Sequence, residues 1–102
     1  MRRAEVRVHG RRAGELQELS ESRFQFLYDP EYSGPPISLT LPLRREAYVF
    51  DTFPPFFDGL LPEGMMLEAM LRELKIDRND AFSQICALGA DLVGAVEVAP
   101  LP

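Results

Sequence analysis

The sequence predicts an α+β fold in which a small, mainly antiparallel sheet of about five strands packs with two to three helices from the C-terminal half. Short segments of alternating polarity fill the first half of the chain, helical segments fill most of the second half, and another alternating segment closes it. This order differs from repeated βαβ units. At 102 residues the chain is long enough for one core, so we expect a single domain over residues 1–102.

The first half of the chain predicts a hairpin followed by an aromatic strand. Residues 4–8 alternate apolar and polar side chains, which is the period of a half-buried strand. A turn follows in which Gly10 is free to adopt positive φ, and residues 13–19 predict the returning strand. Residues 24–28, Phe-Gln-Phe-Leu-Tyr, predict the next strand because aromatic residues favour pleated structure.

The middle of the chain is rich in proline. Residues 29–36 contain three prolines and one glycine and predict a loop. Residues 37–41 alternate again and predict a strand, ended by the following proline, with one face formed by Ile37, Leu39 and Leu41. Residues 53–57 predict an aromatic turn in which Pro54 or Pro55 begins a short helical segment.

The second half predicts helices and a closing strand. Residues 63–75 have the helical spacing of apolar side chains, at Leu67, Met70, Leu71 and Leu74. One residue of the pair Asn79 and Asp80 is expected to cap a helix over residues 81–88, which buries Phe82, Ile85 and Cys86. Residues 92–98 predict the last strand, which we expect to rejoin the N-terminal sheet, with inward-facing Val93, Ala95 and Val98.

Composition and charge exclude several classes of protein. A single cysteine excludes a disulfide scaffold, and no apolar stretch approaches the ~20 residues of a membrane span. The formal net charge is −5, and the excess of acidic residues is confined to residues 52–102. The N-terminus has no apolar run of the kind found in a secretory signal, so we expect a cytoplasmic protein.

A group of arginines near the N-terminus admits two interpretations. It consists of Arg2, Arg3, Arg7, Arg11 and Arg12. The first interpretation is the solvated outer face of a strand pair. The second is a basic patch for an acidic partner or a phosphate backbone. Because the chain as a whole is acidic, direct nucleic-acid binding is the weaker interpretation.

The residue patterns of catalysis are incomplete. His9 is the single histidine and is expected on a surface turn, and Cys86 is expected in the core, so neither offers a metal site or a nucleophilic pair. Residues 89–94 have the glycine spacing of a phosphate-binding loop but lack its lysine and the helix that should follow. We therefore expect a protein that is not an enzyme and needs no cofactor or metal.

Apolar side chains are the best candidates for contact with a partner. Met66 and Met70 share one face of the predicted helix, and three phenylalanines cluster beside prolines. Each group has two interpretations, core filling or an adaptable partner surface. The predicted partner-binding residues are Phe53, Phe56, Phe57, Met65, Met66 and Met70.

Four segments resemble the N-terminal subdomain of HipA-type serine/threonine kinases. Residues 56–63, Phe-Phe-Asp-Gly-Leu-Leu-Pro-Glu, look like the family motif FFD(N/G)LLP. Residues 6–16 resemble its opening hairpin, residues 36–43 its PLSLSLPL segment, and residues 85–96 its LLxxIGxDxVGAV segment. The matches occur in the family's order and span nearly the whole chain. They are specific jointly, although none is specific alone.

A stand-alone N-terminal subdomain is similar to HipS, the small protein of three-component HipBST toxin–antitoxin systems. The chain ends at residue 102, before a kinase core would begin, so we expect such a stand-alone protein. The resemblance implies a non-catalytic antitoxin-like subunit that binds and neutralises a HipT-like serine/threonine kinase. It also implies a HipB-like helix-turn-helix protein in a ternary complex, and no direct contact with nucleic acid or membrane.

An alternative function follows from the same resemblance. The chain would be a structural or regulatory subunit that links a HipA-like kinase to a helix-turn-helix DNA-binding partner without inhibiting the kinase. The two functions differ in kinase activity, which falls in the first and is unchanged in the second.

Overall fold

The computed structural model describes residues 1–92 and 94–102 of the chain. It confirms the α+β fold, with helices α1–α3 lying between strands β4 and β5 in the chain. The elements, in chain order, are β1 (Arg3–Val8), β2 (Arg11–Ser20), β3 (Arg23–Tyr28), β4 (Tyr48–Phe50), α1 (Pro55–Asp58), α2 (Gly64–Leu74), α3 (Ala81–Leu88) and β5 (Val96–Leu101). The sheet has the order β4-β3-β2-β1-β5, and every neighbouring pair is antiparallel.

The hairpin between β1 and β2 closes through a two-residue turn. His9 and Gly10 both have positive φ, at 50° and 79°. This backbone twist matches the right-handed twist of the flanking strands, which is why such turns favour short hairpins. Val8 then pairs with Arg11, as the predicted turn requires.

The core lies between one face of the sheet and the helices. Alternate residues of β1 and β3 point into it, together with Leu16 of β2. Phe57 of α1 and Ile85 of α3 are both fully buried against this face. Burying one such side chain stabilises the fold by roughly 2 kcal/mol, so the sheet and the helices α1 and α3 depend on one another.

The strand predicted over residues 37–41 is wrong. Ile37 and Leu41 are buried, but Leu39 is 97% exposed at the tip of a tight turn. The Leu41 N–H donates to the Ser38 carbonyl oxygen at 3.1 Å, and the Thr40 N–H donates to Ser38 Oγ at 3.2 Å. These local hydrogen bonds compete with strand pairing, as serine side chains commonly do. The fourth strand is β4, from a segment whose residues show no clear alternation.

The C-terminal half follows the predicted helices closely. Helix α2 is one residue shorter at each end than predicted, and α3 has the predicted bounds. Asp80 is its N-cap, since the carboxylate accepts from the Ser83 N–H at 3.1 Å.

The closing strand rejoins β1, as predicted, but it begins at Val96 and not at residue 92. Val8, the last residue of β1, pairs with Val96, the first residue of β5. Val98 is buried, whereas Ala95 precedes the strand and is half-buried. The predicted orientation of Val93 lies outside the described residues.

Candidate interaction surface

Helix α2 leaves most of its surface uncovered. Of its eleven residues only Leu71 is buried, while Leu67 and Met70 are half-buried. The helix follows a short connection from α1 and ends where Lys75 adopts the left-handed conformation, with a φ of 55°. A helix attached by one buried side chain has most of its surface available for contact with another protein.

Two methionines stand at the beginning of α2. Met65 is 88% exposed and Met66 is 74% exposed. Scattered exposed apolar residues are ordinary, but two adjacent long side chains on one helical turn form an apolar patch, and methionine adapts readily to a partner's shape. Met66 and Met70 lie on one side of the helix, and Met65 lies about 100° round the axis from Met66. We call the surface of these three residues the methionine face of α2. Core filling does not account for Met65 and Met66.

The phenylalanines of the predicted set pack largely inside the protein. Phe57 is fully buried, with its ring centroid 5.9 Å from that of Phe26. Phe53 and Phe56 are half-buried, and Phe53 packs edge-on against Phe24 with centroids 5.4 Å apart. Phe57 therefore stabilises the core, and only the outer edges of the other two are open to contact.

The sequence placed Leu39 on the face of a predicted strand and did not name it as a partner-binding residue, yet it is the most exposed large apolar side chain of the described residues. It projects from the turn between Pro36 and Pro42. Leu43, just after this turn, is 41% exposed. The serine and threonine on either side of Leu39 were the signal for this turn, because their hydroxyls bond locally at 2.9 Å.

Four of the five N-terminal arginines are paired with carboxylates of the same domain. Arg3 contacts Glu15 at 3.1 Å, and Arg12 contacts Asp29 at 2.9 Å. Arg7 and Arg2 also form ion pairs, while the Arg11 guanidinium lies 5.6 Å from the centroid of the Tyr32 ring. This arrangement matches a solvated strand face, because paired guanidinium groups present less net positive charge to an anionic partner.

Arg2 differs from the other arginines because it bridges distant elements. Its guanidinium donates to Glu18 at the end of β2 and to Asp80 at the start of α3. Hydrogen bonds from Arg2 lower the pKa of Glu18, and they lower the pKa of Asp80 to about 2. Hydrogen bonds to the same two carboxylates raise the pKa of Arg2, and the bond to Glu18 has the larger effect. The cluster thus stays charged over the physiological range.

The groups with reactive potential lie apart from one another. Burial raises the pKa of the Cys86 thiol to about 11, so the thiolate is scarce at neutral pH. His9 is exposed on the hairpin turn. Within the described residues no group of His, Cys, Asp and Glu side chains is arranged to hold a metal ion. None of the described helices combines the length and apolarity needed to cross a membrane.

The chain belongs to the HipA N-terminal domain family, whose pattern it matches over residues 4–99. The fold agrees with a solved structure described as the N-terminal domain of HipA toxin, at a TM-score of 0.78 and 28% identity. That match covers 100% of this chain and 94% of the other.

Relatives occur in two sizes. An uncharacterized protein of Haemophilus influenzae is 33% identical over 98 residues, which cover 96% of this chain and 92% of that protein. A protein of Sinorhizobium fredii named "Putative kinase Y4dM" is 31% identical, and the match covers 94% of this chain but 26% of the relative. A second protein of that organism, "Putative kinase Y4mE", is 34% identical over 64% of this chain and 16% of its own length. The domain therefore occurs both in a protein of similar size and within much longer chains.

Proposed function

We propose that the chain is a non-catalytic, antitoxin-like subunit that binds and neutralises a HipT-like serine/threonine kinase in the cytoplasm. The observation that carries the proposal is the exposed methionine face of α2 in a member of the HipA N-terminal domain family. Of the six residues predicted to bind a partner, Met65 and Met66 are the most exposed.

The relatives support a partner that contains a kinase core. In the two Sinorhizobium proteins the matching segment is a small part of a longer chain whose name denotes a kinase. A domain within such a chain packs on its neighbour through an interface of roughly 600–1,500 Å². A separate domain with the same fold retains a surface of complementary shape, and an apolar helix face is a suitable centre for it.

Neutralisation is consistent with the chemistry of the described residues. Among the described residues, the half-buried thiol, with its raised pKa, and the exposed histidine do not form an activated nucleophilic pair. A protein of this kind acts by covering a partner surface or by holding the partner in an inactive state.

The proposal is tested by mixing purified chain with a HipT-like kinase and following co-elution by size-exclusion chromatography. We expect one complex peak, and we expect co-expression to restore the growth of cells that express the kinase. Absence of a complex would contradict the proposal. A complex that forms but leaves growth suppressed would instead support the linking function, in which a HipB-like helix-turn-helix protein joins the same assembly.

A further inference from the structure

The sulfur-containing side chains differ widely in exposure. The chain has four methionines and one cysteine. Met65 and Met66, in the first turn of α2, are 88% and 74% exposed, and Met1 is 78% exposed. Met70 and Cys86 are half-buried. Two thioethers of the methionine face are therefore open to a small reagent in solution.

The single cysteine is a poor competitor for an oxidant. Peroxides oxidise the thiolate, so the susceptibility of a cysteine follows its thiolate fraction and its exposure. Cys86 is half-buried in α3, and burial raises its pKa to about 11, so the thiol is protonated at neutral pH. A methionine thioether has no proton to lose, and its exposure therefore decides how readily it reacts. The most reactive sulfur atoms of the chain are those of its exposed methionines.

Oxidation of Met65 and Met66 changes the surface of the protein and spares its core. It converts each flexible apolar side chain into a polar, chiral sulfoxide. The buried residue of α2 is Leu71, and the two exposed methionines contribute little to the packing of the helix. A polar sulfoxide that is buried in an apolar interface without a hydrogen-bond partner is unfavourable. The modification therefore weakens an interface centred on the methionine face and leaves the chain folded.

We propose that Met65 and Met66 form a site of reversible oxidation, at which a peroxide converts both residues to sulfoxides and so prevents the chain from binding its kinase. The inference rests on the proposed function, since the kinase is the partner that is excluded. Because the kinase covers the methionine face in the complex, the reaction takes place in the free chain. Binding and oxidation then exclude one another.

The chemistry of the site is a two-electron oxygen transfer. A lone pair of the thioether sulfur attacks one oxygen of hydrogen peroxide, and the O–O bond breaks. The sulfur gains that oxygen and is oxidised to the sulfoxide, while the second oxygen takes up both protons and leaves as water. Methionine sulfoxide reductases reverse the step, with one enzyme for each epimer of the sulfoxide.

The first measurement follows sulfoxide formation in the free chain. The folded chain is treated with hydrogen peroxide, and mass spectrometry of its peptides gives the extent of oxidation at each methionine over time. We expect Met65 and Met66 to react about fivefold faster than Met70, and Cys86 to remain a thiol. The urea midpoint of the oxidised chain should be unchanged. Equal rates at the three methionines of α2, or unfolding of the oxidised chain, would overturn the site.

The second measurement compares kinase binding by the full chain and by Met65→Leu/Met66→Leu, each before and after treatment with hydrogen peroxide. Leucine preserves the apolar volume without the sulfur, and the variant retains Met1, Met70 and Cys86 as controls for oxidation elsewhere. We expect the two untreated chains to bind within about twofold of one another. After treatment, the unmodified sequence should bind about tenfold more weakly, and the leucine variant should be unaffected.

The possible results separate this inference from the proposed function. Unchanged binding by the oxidised chain, or equal weakening of the leucine variant, would overturn the oxidation site and leave the kinase-binding proposal intact. Absence of any complex with the untreated chain would overturn both. Recovery of binding after incubation with both classes of methionine sulfoxide reductase would support the site and establish that it is reversible.

Discussion

Arg2 and Asp80 are 78 positions apart in the chain and form a bidentate ion pair, with N–O distances of 2.9 and 3.2 Å. The pair joins the residue before β1 to the N-cap of α3. The same guanidinium donates to Ser83 at 2.8 Å and to Glu18 at 2.8 Å and 2.7 Å. One side chain therefore fixes the start of α3 against the end of the sheet.

We expect Arg2→Ala to lower the free energy of unfolding by about 1 kcal/mol. The individual pairs are worth little because Arg2 is 43% exposed, but the network and the contact with Phe82 add to one another. Urea denaturation measures the change. Arg7→Ala is the control, since Arg7 has the single carboxylate partner Glu5, and its expected change is under about 0.5 kcal/mol. Equal changes in the two variants would show that the bridge has no special role.

The stabilisation by Arg2 should disappear in acid. The folded-state pKa of Asp80 is about 2, below its ordinary value of 3.8, because it accepts hydrogen bonds from Arg2. A lowered pKa stabilises the folded state in full above the ordinary value and less as the pH falls toward the folded one. We therefore expect the difference between the unmodified chain and Arg2→Ala to be present at pH 5.5 and to approach zero near pH 2. A difference independent of pH would contradict this account.

Most of the fold could be predicted because the period of side-chain burial is a local property. The alternation of β1 and β3 gives the same faces in the sequence and in the structure. The spacing of α3 predicts the burial of Phe82 and Ile85 correctly, but Gln84 is buried as well and Cys86 is only half-buried. Residues 37–41 alternate as well, yet their serine and threonine side chains bond within the turn. The alternating pattern does not reveal whether a segment forms strand-pairing hydrogen bonds or hydrogen bonds to its own side chains.

The candidate surface was less predictable because spacing does not distinguish a core from an interface. Phe57 and Met66 are both large apolar residues in helical segments, but the first is fully buried and the second is 74% exposed. The difference depends on which helix packs against the sheet. The ion-pair cluster of Arg2, Glu18 and Asp80 combines residues from three separate segments, so only the folded chain brings its charges together.

Gly89→Ala should destabilise the fold by about 3 kcal/mol. A Cβ at Gly89 would lie 1.4 Å from the Val98 carbonyl oxygen, where the end of α3 meets β5. Thermal or urea unfolding measures the loss. Gly59→Ala is a matched control, because its nearest contact would be 3.4 Å and its φ is −67°. We expect that control to be neutral or up to about 1 kcal/mol more stable. Similar behaviour of the two variants would contradict the close approach of α3 to β5.

Met66→Asp should weaken kinase binding about 30-fold, which corresponds to a contact near the centre of an interface. The exposed position predicts a change in unfolding free energy within about 0.5 kcal/mol. Calorimetry gives the binding change and urea denaturation gives the stability. Leu39→Asp introduces the same charge at another exposed apolar residue, so it controls for charge alone. If Met66→Asp unfolds the chain, the methionine face belongs to the core and not to an interface.

The most direct test of the central claim is the rate of phosphorylation by the HipT-like kinase as the purified chain is titrated into the reaction. We predict that autophosphorylation and substrate phosphorylation both fall to background at the stoichiometry of the complex, and that Met66→Asp requires a proportionately higher concentration. An unchanged phosphorylation rate in the presence of a fully formed complex would contradict the account.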